Sequence, residues 1–245
     1  MISKQQQKYV QSLHNKKYRQ EYGEFIVEGE KNILELIDSE YEIKDIFCSQ
    51  DFEKELKKNG KQLPLTTGTE EQINAISTLK NQNSGVAVVK IKEPENISTS
   101  QNLRLILDGI KDPGNLGTII RLADWYGLKQ IYCSEDTVEF YNPKVISATM
   151  GSFSRISCVY LNIQDFLKNN PGTTYGAYLG GTNIHDLKPS NGVNLIIGSE
   201  SHGIREEILP YVSEKITIPG FGKAESLNAA IATGIILDNF SRFFK

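Results

Sequence analysis

The sequence predicts an α/β protein: a parallel sheet in the C-terminal half, preceded by a small mixed α/β domain. Three observations predict it. From residue 103 onward, short apolar runs alternate with segments of helical periodicity, and strands that alternate with helices pair in parallel and are buried on both faces. The first 95 residues mix strands and helices without that regular alternation. Between the halves, residues 92–102 (Lys-Glu-Pro-Glu-Asn-Ile-Ser-Thr-Ser-Gln-Asn) are polar, contain a proline and lack periodicity, which is linker composition. The domains so drawn are 1–95 and 103–245.

In the first domain, residues 3–22 read as one Gln- and Lys-rich helix. Residues 24–29 (Glu-Phe-Ile-Val-Glu-Gly) read as a strand ending at a glycine. Helical spacing recurs over 29–38, 51–59 and 70–79. Residues 43–48 and 86–91 are apolar strand candidates. In the second domain, strands are expected at 103–108, 130–133, 156–160, 174–178, 194–198 and 215–219. Helices are expected at 118–126, 143–150, 163–169, 204–211 and about 227–243. Gly127 is a natural stop for the first of these helices.

Composition narrows the function classes. The chain has 245 residues, 39% of them apolar and 23% charged, as in an ordinary soluble protein. No apolar run reaches the ~20 residues that span a bilayer, and Met1 to Gln5 open no secretory h-region. A cytoplasmic protein with no membrane association is expected. Cys48, Cys133 and Cys158 are spaced as buried thiols rather than as disulfides or a zinc site, and the three histidines are far apart, so no metal is expected. The net charge of −3 argues against a strongly basic nucleic-acid binder. Residues 1–20 nevertheless carry Lys4, Lys8, Lys16, Lys17 and Arg19 and no acid. Such an end can meet phosphates or form a solvated helix face.

Three loops at strand ends carry candidate chemistry. The first runs from Asp108 to Arg121 (Asp-Gly-Ile-Lys-Asp-Pro-Gly-Asn-Leu-Gly-Thr-Ile-Ile-Arg). It leaves the C-terminal end of a strand, where ligands bind in open α/β sheets. The glycines permit close approach, and Arg121 offers forked donors suited to phosphate. The same residues also fit a plain Asx/Pro turn with a surface arginine. The loop is neither G-x-G-x-x-G nor a P-loop. The second, Ile197-Gly198-Ser199-Glu200-Ser201-His202-Gly203-Ile204, places Glu200 at a strand end, as a ligand group or as a cap for helix 204–211. Gly198 would let a flat ligand approach the backbone. The third, Ile216 to Ala232, is glycine-rich and then reads Ser226-Leu227-Asn228 before a helix of small residues. Ser226 is the expected N-cap, and the Asn228 amide can hold a ligand or a neighbouring loop.

Taken together, in this order and spacing, the three motifs resemble the SpoU (TrmH-like) branch of the SPOUT RNA methyltransferases. The carrying residues are Asp112-Pro113-Gly114-Asn115-Leu116-Gly117-Thr118 with Arg121, then Ile197 to Ile204, then Ile218-Pro219 and Ser226-Leu227-Asn228. The match covers 103–245 strongly. It covers the first half loosely, through Phe25-Ile26-Val27-Glu28-Gly29, which looks like that family's RNA substrate-binding domain. The resemblance implies a SPOUT fold with a C-terminal deep trefoil knot and a homodimer whose active sites lie at the subunit interface. It implies S-adenosylmethionine as cofactor, held near Leu179, Gly180, Gly198, Ile218 and Leu227. The implied reaction is methyl transfer to a ribose 2′-hydroxyl of RNA, with Arg121, Asn115, Glu200, Ser226 and Asn228 as the catalytic set. Where relatives have Asn and Gly around the glutamate, this chain has Ser199 and Ser201, and Ala230 stands where serine is frequent. A compact N-terminal domain looks more like the members acting on ribosomal RNA, 23S in particular, than like the transfer-RNA members. A non-catalytic RNA-binding module on the same fold is the rival from another class; the full set of motif residues argues against it.

Overall fold

The computed structural model describes residues 1–79, 84–93, 96–98 and 101–244. Residues 94, 95, 99 and 100 of the expected linker lie outside the described residues. The first elements are α1 (Lys4–Ser12), α2 (Lys16–Tyr22), β1 (Glu24–Glu28), α3 (Glu30–Ile37), β2 (Ile43–Cys48), α4 (Gln50–Lys58), β3 (Leu65–Thr67), α5 (Glu70–Ile76) and β4 (Gly85–Lys90). Then come β5 (Leu103–Asp108), α6 (Pro113–Trp125), β6 (Gln130–Ser134), α7 (Pro143–Thr149), β7 (Ser157–Leu161), α8 (Ile163–Asn169), β8 (Thr174–Asn183), β9 (Val193–Gly198), β10 (Glu214–Thr217) and α9 (Ala229–Ser241). The chain forms two compact units: residues 1–93 with 139–154, and residues 94–138 with 155–245.

The first unit holds a four-stranded sheet in the order β1-β4-β2-β3. β4 runs antiparallel to β1 and β2, and β3 pairs parallel to β2. One sheet face closes over Val10, Leu13, Ile26, Phe47, Ile73, Val86 and Val88. The helix expected over 3–22 is broken in two. Leu13 turns into that core, and the Asn15 side chain accepts from Lys17 N at 2.9 Å, capping α2 afresh. Gly23, at φ +64°, ends α2 in the left-handed region. Segment 139–154 supplies aromatic partners to β1: the Phe25 ring lies 4.5 Å from Tyr141 and 6.4 Å from Phe153. Arg19 is buried. Its Nη2 meets Glu139 at 2.6 Å and its Nη1 donates to the Leu13 and His14 carbonyls. The basic N-terminal run therefore offers four lysines to solvent, and its arginine is taken up inside the unit.

The second unit holds a six-stranded sheet in the order β10-β8-β9-β5-β6-β7, every pairing parallel. β5 and β6 are buried along their whole length, as two-sided cover requires. β5 proceeds outward to β6 and β7, whereas β9 and β8 lie on its other side. The order reverses between β5 and β9, and crevices at such switch points take ligands. Asp108 and Gly198 end the two strands and stand opposite each other in register.

Three expectations are corrected here. α6 begins at Pro113 rather than Thr118. Asp112 caps it by accepting from Asn115 N at 2.8 Å, and Pro113 supplies a preset φ in its first turn. Residues 206–211 form a 3₁₀ helix containing Pro210, which lacks the N–H an α-turn needs. The last helix starts at Ala229, capped by Asn228 and not by Ser226.

Candidate active site

The three motif loops meet at the switch point through one shared oxygen. Glu200 Oε1 accepts from Asn115 Nδ2 at 2.7 Å, Asn228 Nδ2 at 3.0 Å and Ala229 N at 3.3 Å. Asn228 Nδ2 also donates to Asn115 Oδ1 at 2.8 Å. The Asn228 Oδ1 faces the other way and accepts from Ala230 N and Ile231 N, closing the first turn of α9. Both ends of this amide are thus committed, which fixes its orientation. Glu200 was expected either at a ligand or as the cap of 204–211; it sits instead at the N-terminus of α9, where unpaired N–H groups favour an anion. Among the described residues its second oxygen, Oε2, accepts no hydrogen bond.

The geometry of the second loop depends on glycine. Ser199 and Gly203 exchange backbone hydrogen bonds of 3.1 and 2.8 Å, with Gly203 at φ +66°. A side chain at Gly198 would overlap the backbone of Gly203 and Ile204. His202 is exposed and its Nδ1 lies 2.7 Å from Ser201 Oγ.

Beneath this loop lies a pair that sequence reasoning missed. Asp108, fully buried, accepts from Arg205 N at 2.8 Å and Arg205 Nε at 2.7 Å, and pairs with Nη2 at 2.6 Å. The signal was present: an aspartate closing an otherwise apolar strand has to find a cation or donors. Next to it, Lys111 Nζ meets Asp136 Oδ2 at 2.7 Å. The Lys111 ammonium and the Ser134 hydroxyl hold the Asp136 carboxyl down at about 2.

The remaining expected residues are placed but not joined to this network. Arg121 lies on α6, six residues past Asn115. At 100° per residue that is a different face. It is exposed, and among the described residues no hydrogen bond or ion pair engages it. Gly114, Thr118 and Trp125 share its exposed stripe, and Trp125 is 82% exposed. Ser226 is exposed in the loop before α9. Leu179 is 78% exposed on β8, Gly180 beside it faces open space, Leu227 is exposed, and Ile218 follows the end of β10. Cys133 and Cys158 are neighbours on β6 and β7, and burial together with the Cys133 thiol pushes Cys158 up. Among the described residues there is no group of three metal-ligating side chains.

Comparison with known proteins gives this geometry a family. Residues 102–238 match the SpoU rRNA Methylase family, and residues 4–87 match the MRM3-like substrate binding domain. The 23S rRNA (guanosine(2553)-2′-O)-methyltransferase RlmP of Bacillus subtilis is 30% identical over 92% of this chain and 91% of its own. An AdoMet-bound rRNA methyltransferase from Sinorhizobium meliloti superposes with a TM-score of 0.85 at 29% identity, over 99% of this chain and 96% of that one. A TrmH-family structure from Porphyromonas gingivalis reaches 0.87 at 30% identity, over 99% of both chains. With the motif loops joined at the switch point and the match running through both units, the chain belongs to the SpoU rRNA methylase family.

Proposed function

We propose that this protein transfers a methyl group from S-adenosylmethionine to a ribose 2′-hydroxyl of 23S ribosomal RNA. The observation that carries this reading is the Asn115–Glu200–Asn228 network, which ties the three motif loops together at the ligand edge of the sheet. The test is a map of ribose methylation in ribosomal RNA from cells lacking the protein. One missing 23S mark, restored by the wild-type gene, is expected; an unchanged map would sink the reading.

The residues fit the cofactor. The Gly198 backbone approaches the loop too closely for any side chain, Gly180 is open, and Leu179 and Leu227 present apolar surface that no packing uses. Leu179, Gly180, Gly198, Ile218 and Leu227 would hold it. When bound, its sulfonium makes the methyl electrophilic. The chain's own work is to place the hydroxyl in line and to manage its proton. Arg121 orients the RNA phosphate and stabilises developing alkoxide charge, since a guanidinium stays protonated and is a poor base. Asn115, Glu200 and Asn228 set the loops, and Ser226 stands where the third loop faces the substrate. Residues 1–95 serve as the RNA-binding domain and 103–245 as the methyltransferase domain. The knot reading draws support from the chain path. After β10 at the sheet edge, the chain returns past β8 and β9 to reach Glu200 and Asn115, then enters α9, whose Gly234 packs on Leu122 of α6. A cytoplasmic location fits, and among the described residues no helix is long and apolar enough to cross a membrane.

A homodimer completes the reading. Trp125 on the exposed stripe of α6, and Ile231 of α9, which is 56% exposed, leave apolar surface unspent. Trp125→Glu should convert a dimer to a monomer in light scattering and reduce methylation with it. A monomeric wild-type protein would remove the dimer from this account.

A further inference from the structure

α1, α2 and β2 carry a row of side chains that the methyltransferase site does not use. Lys17 Nζ lies 5.7 Å from the Tyr18 ring centroid. Tyr18 and Tyr22, one turn apart on α2, stack with centroids 6.1 Å apart and planes 23° from parallel. Tyr22 stands 5.7 Å from Tyr9 of α1. Lys44 Nζ lies 5.4 Å from the Tyr9 ring. The result is a continuous line: Lys17, Tyr18, Tyr22, Tyr9, Lys44.

Packing accounts for one end of this line only. Tyr9 rests on the buried cluster of the first unit, and its hydroxyl donates to Glu24, which also holds Lys44 at 2.6 Å. Burial, with Glu24 beside it, pushes Tyr9 up to about 12, so its hydroxyl stays a donor. Tyr18 and Tyr22 do not belong to that cluster, and Tyr22 is 45% exposed. Tyr18 is half-buried, and the pair lies outside the core that holds the unit together.

Charge identifies the occupant. Lys4, Lys8, Lys16 and Lys17 are exposed and, among the described residues, meet no carboxylate. Elsewhere in the same unit, Lys44, Lys54, Lys57, Lys61 and Lys90 each do, whereas Lys31 and Lys58 do not; the N-terminal four differ in lying in a stretch, residues 1–20, that contains no acid. The first turns of α1 and α2 contain no acid. Rings flanked by unspent cations suit a ligand with flat faces and a polyanionic backbone, and aromatic platforms of this kind hold unpaired bases.

We propose that Tyr18 and Tyr22, with Lys8, Lys16 and Lys17, form a platform that stacks unpaired nucleotides of the RNA substrate. This deepens the RNA-methyltransferase reading and rests on it. Tyr9 and Lys44 brace the platform from below. A duplex, whose bases are already stacked on each other, would gain only the lysine contribution.

The test uses the full chain with a fluorescein-labelled single-stranded oligouridylate, and the same length as a duplex. Y18A/Y22A should weaken single-strand binding about tenfold and leave duplex binding, cofactor affinity and Tm unchanged. Y18F/Y22F should bind as wild type. K8Q/K16Q/K17Q should lower the slope of log Kd against log salt by about 2 for the single strand, and this second variant decides if the tyrosine variant folds poorly. Unchanged single-strand affinity and slope in these variants would overturn the platform and leave the face to a protein partner. An equal loss on duplex would overturn base stacking. Failure of the wild-type protein to bind any RNA would remove the methyltransferase reading as well, so the two failures can be told apart.

Discussion

Arg121→Lys is expected to lower the single-turnover methylation rate by about 10²–10³-fold while RNA affinity changes by no more than a few-fold. The position explains the split. Arg121 is exposed on α6, off the face that carries Asn115, and among the described residues its guanidinium is spent on no internal partner. A charge left open on the α6 surface is available to substrate. Lysine keeps that charge, and a point charge still attracts a phosphate. It loses the planar fork that holds two oxygens at once and fixes the direction of approach. Binding then survives better than turnover, because orientation matters most where charge develops on the ribose oxygen. Methylation at the wild-type rate would sink this role. A rise in Kd as large as the fall in rate would reduce Arg121 to a tether.

The sequence was most legible where burial alone decides structure. β5, β6 and β9 stand out as apolar runs because both of their faces are covered, so no polar alternation dilutes them. β3 went unread, since Leu65–Thr67 is short and only partly buried. The start of α6 was misplaced because Pro113 and Gly114 look like a turn; they are also what a capped first turn contains once Asp112 accepts from Asn115 N. The N-cap of α9 could not be chosen locally. Ser226 and Asn228 are both good caps, and what selects Asn228 is its other role, reaching Asn115 and Glu200. The motif residues were found as a set, yet their division was not. Three join one network, while Ser226 lies exposed in the loop before α9 and Arg121 stands apart because a helix face is set by register and not by closeness in sequence. Arg19 looked like a free cation and is instead buried against Glu139, a residue 120 positions away.

Arg205→Ala should destabilise the protein by about 3 kcal/mol, more than any change on the exposed loops. The Asp108 carboxylate is wholly buried at the end of β5, and among the described residues every donor it has comes from Arg205: the backbone N, Nε and Nη2. Alanine keeps only the backbone N–H. A buried carboxylate oxygen is then left without a partner, which costs far more than the pair itself contributes. The figure sits at the low end for a buried pair because the arginine side chain is 40% exposed, so water can reach part of the gap. The double variant D108N/R205A should recover much of the loss, since removing the charge removes the penalty for burying it. Urea unfolding with an unchanged m-value reads both effects; equal midpoints for wild type and Arg205→Ala would refute the clamp. The consequence reaches the site because Arg205 follows directly on the loop that Ser199 and Gly203 close. With only the backbone N–H left to tie its far end to β5, that loop holds Glu200 less firmly under its three converging donors, so methylation by Arg205→Ala should fall even at temperatures where the variant remains folded.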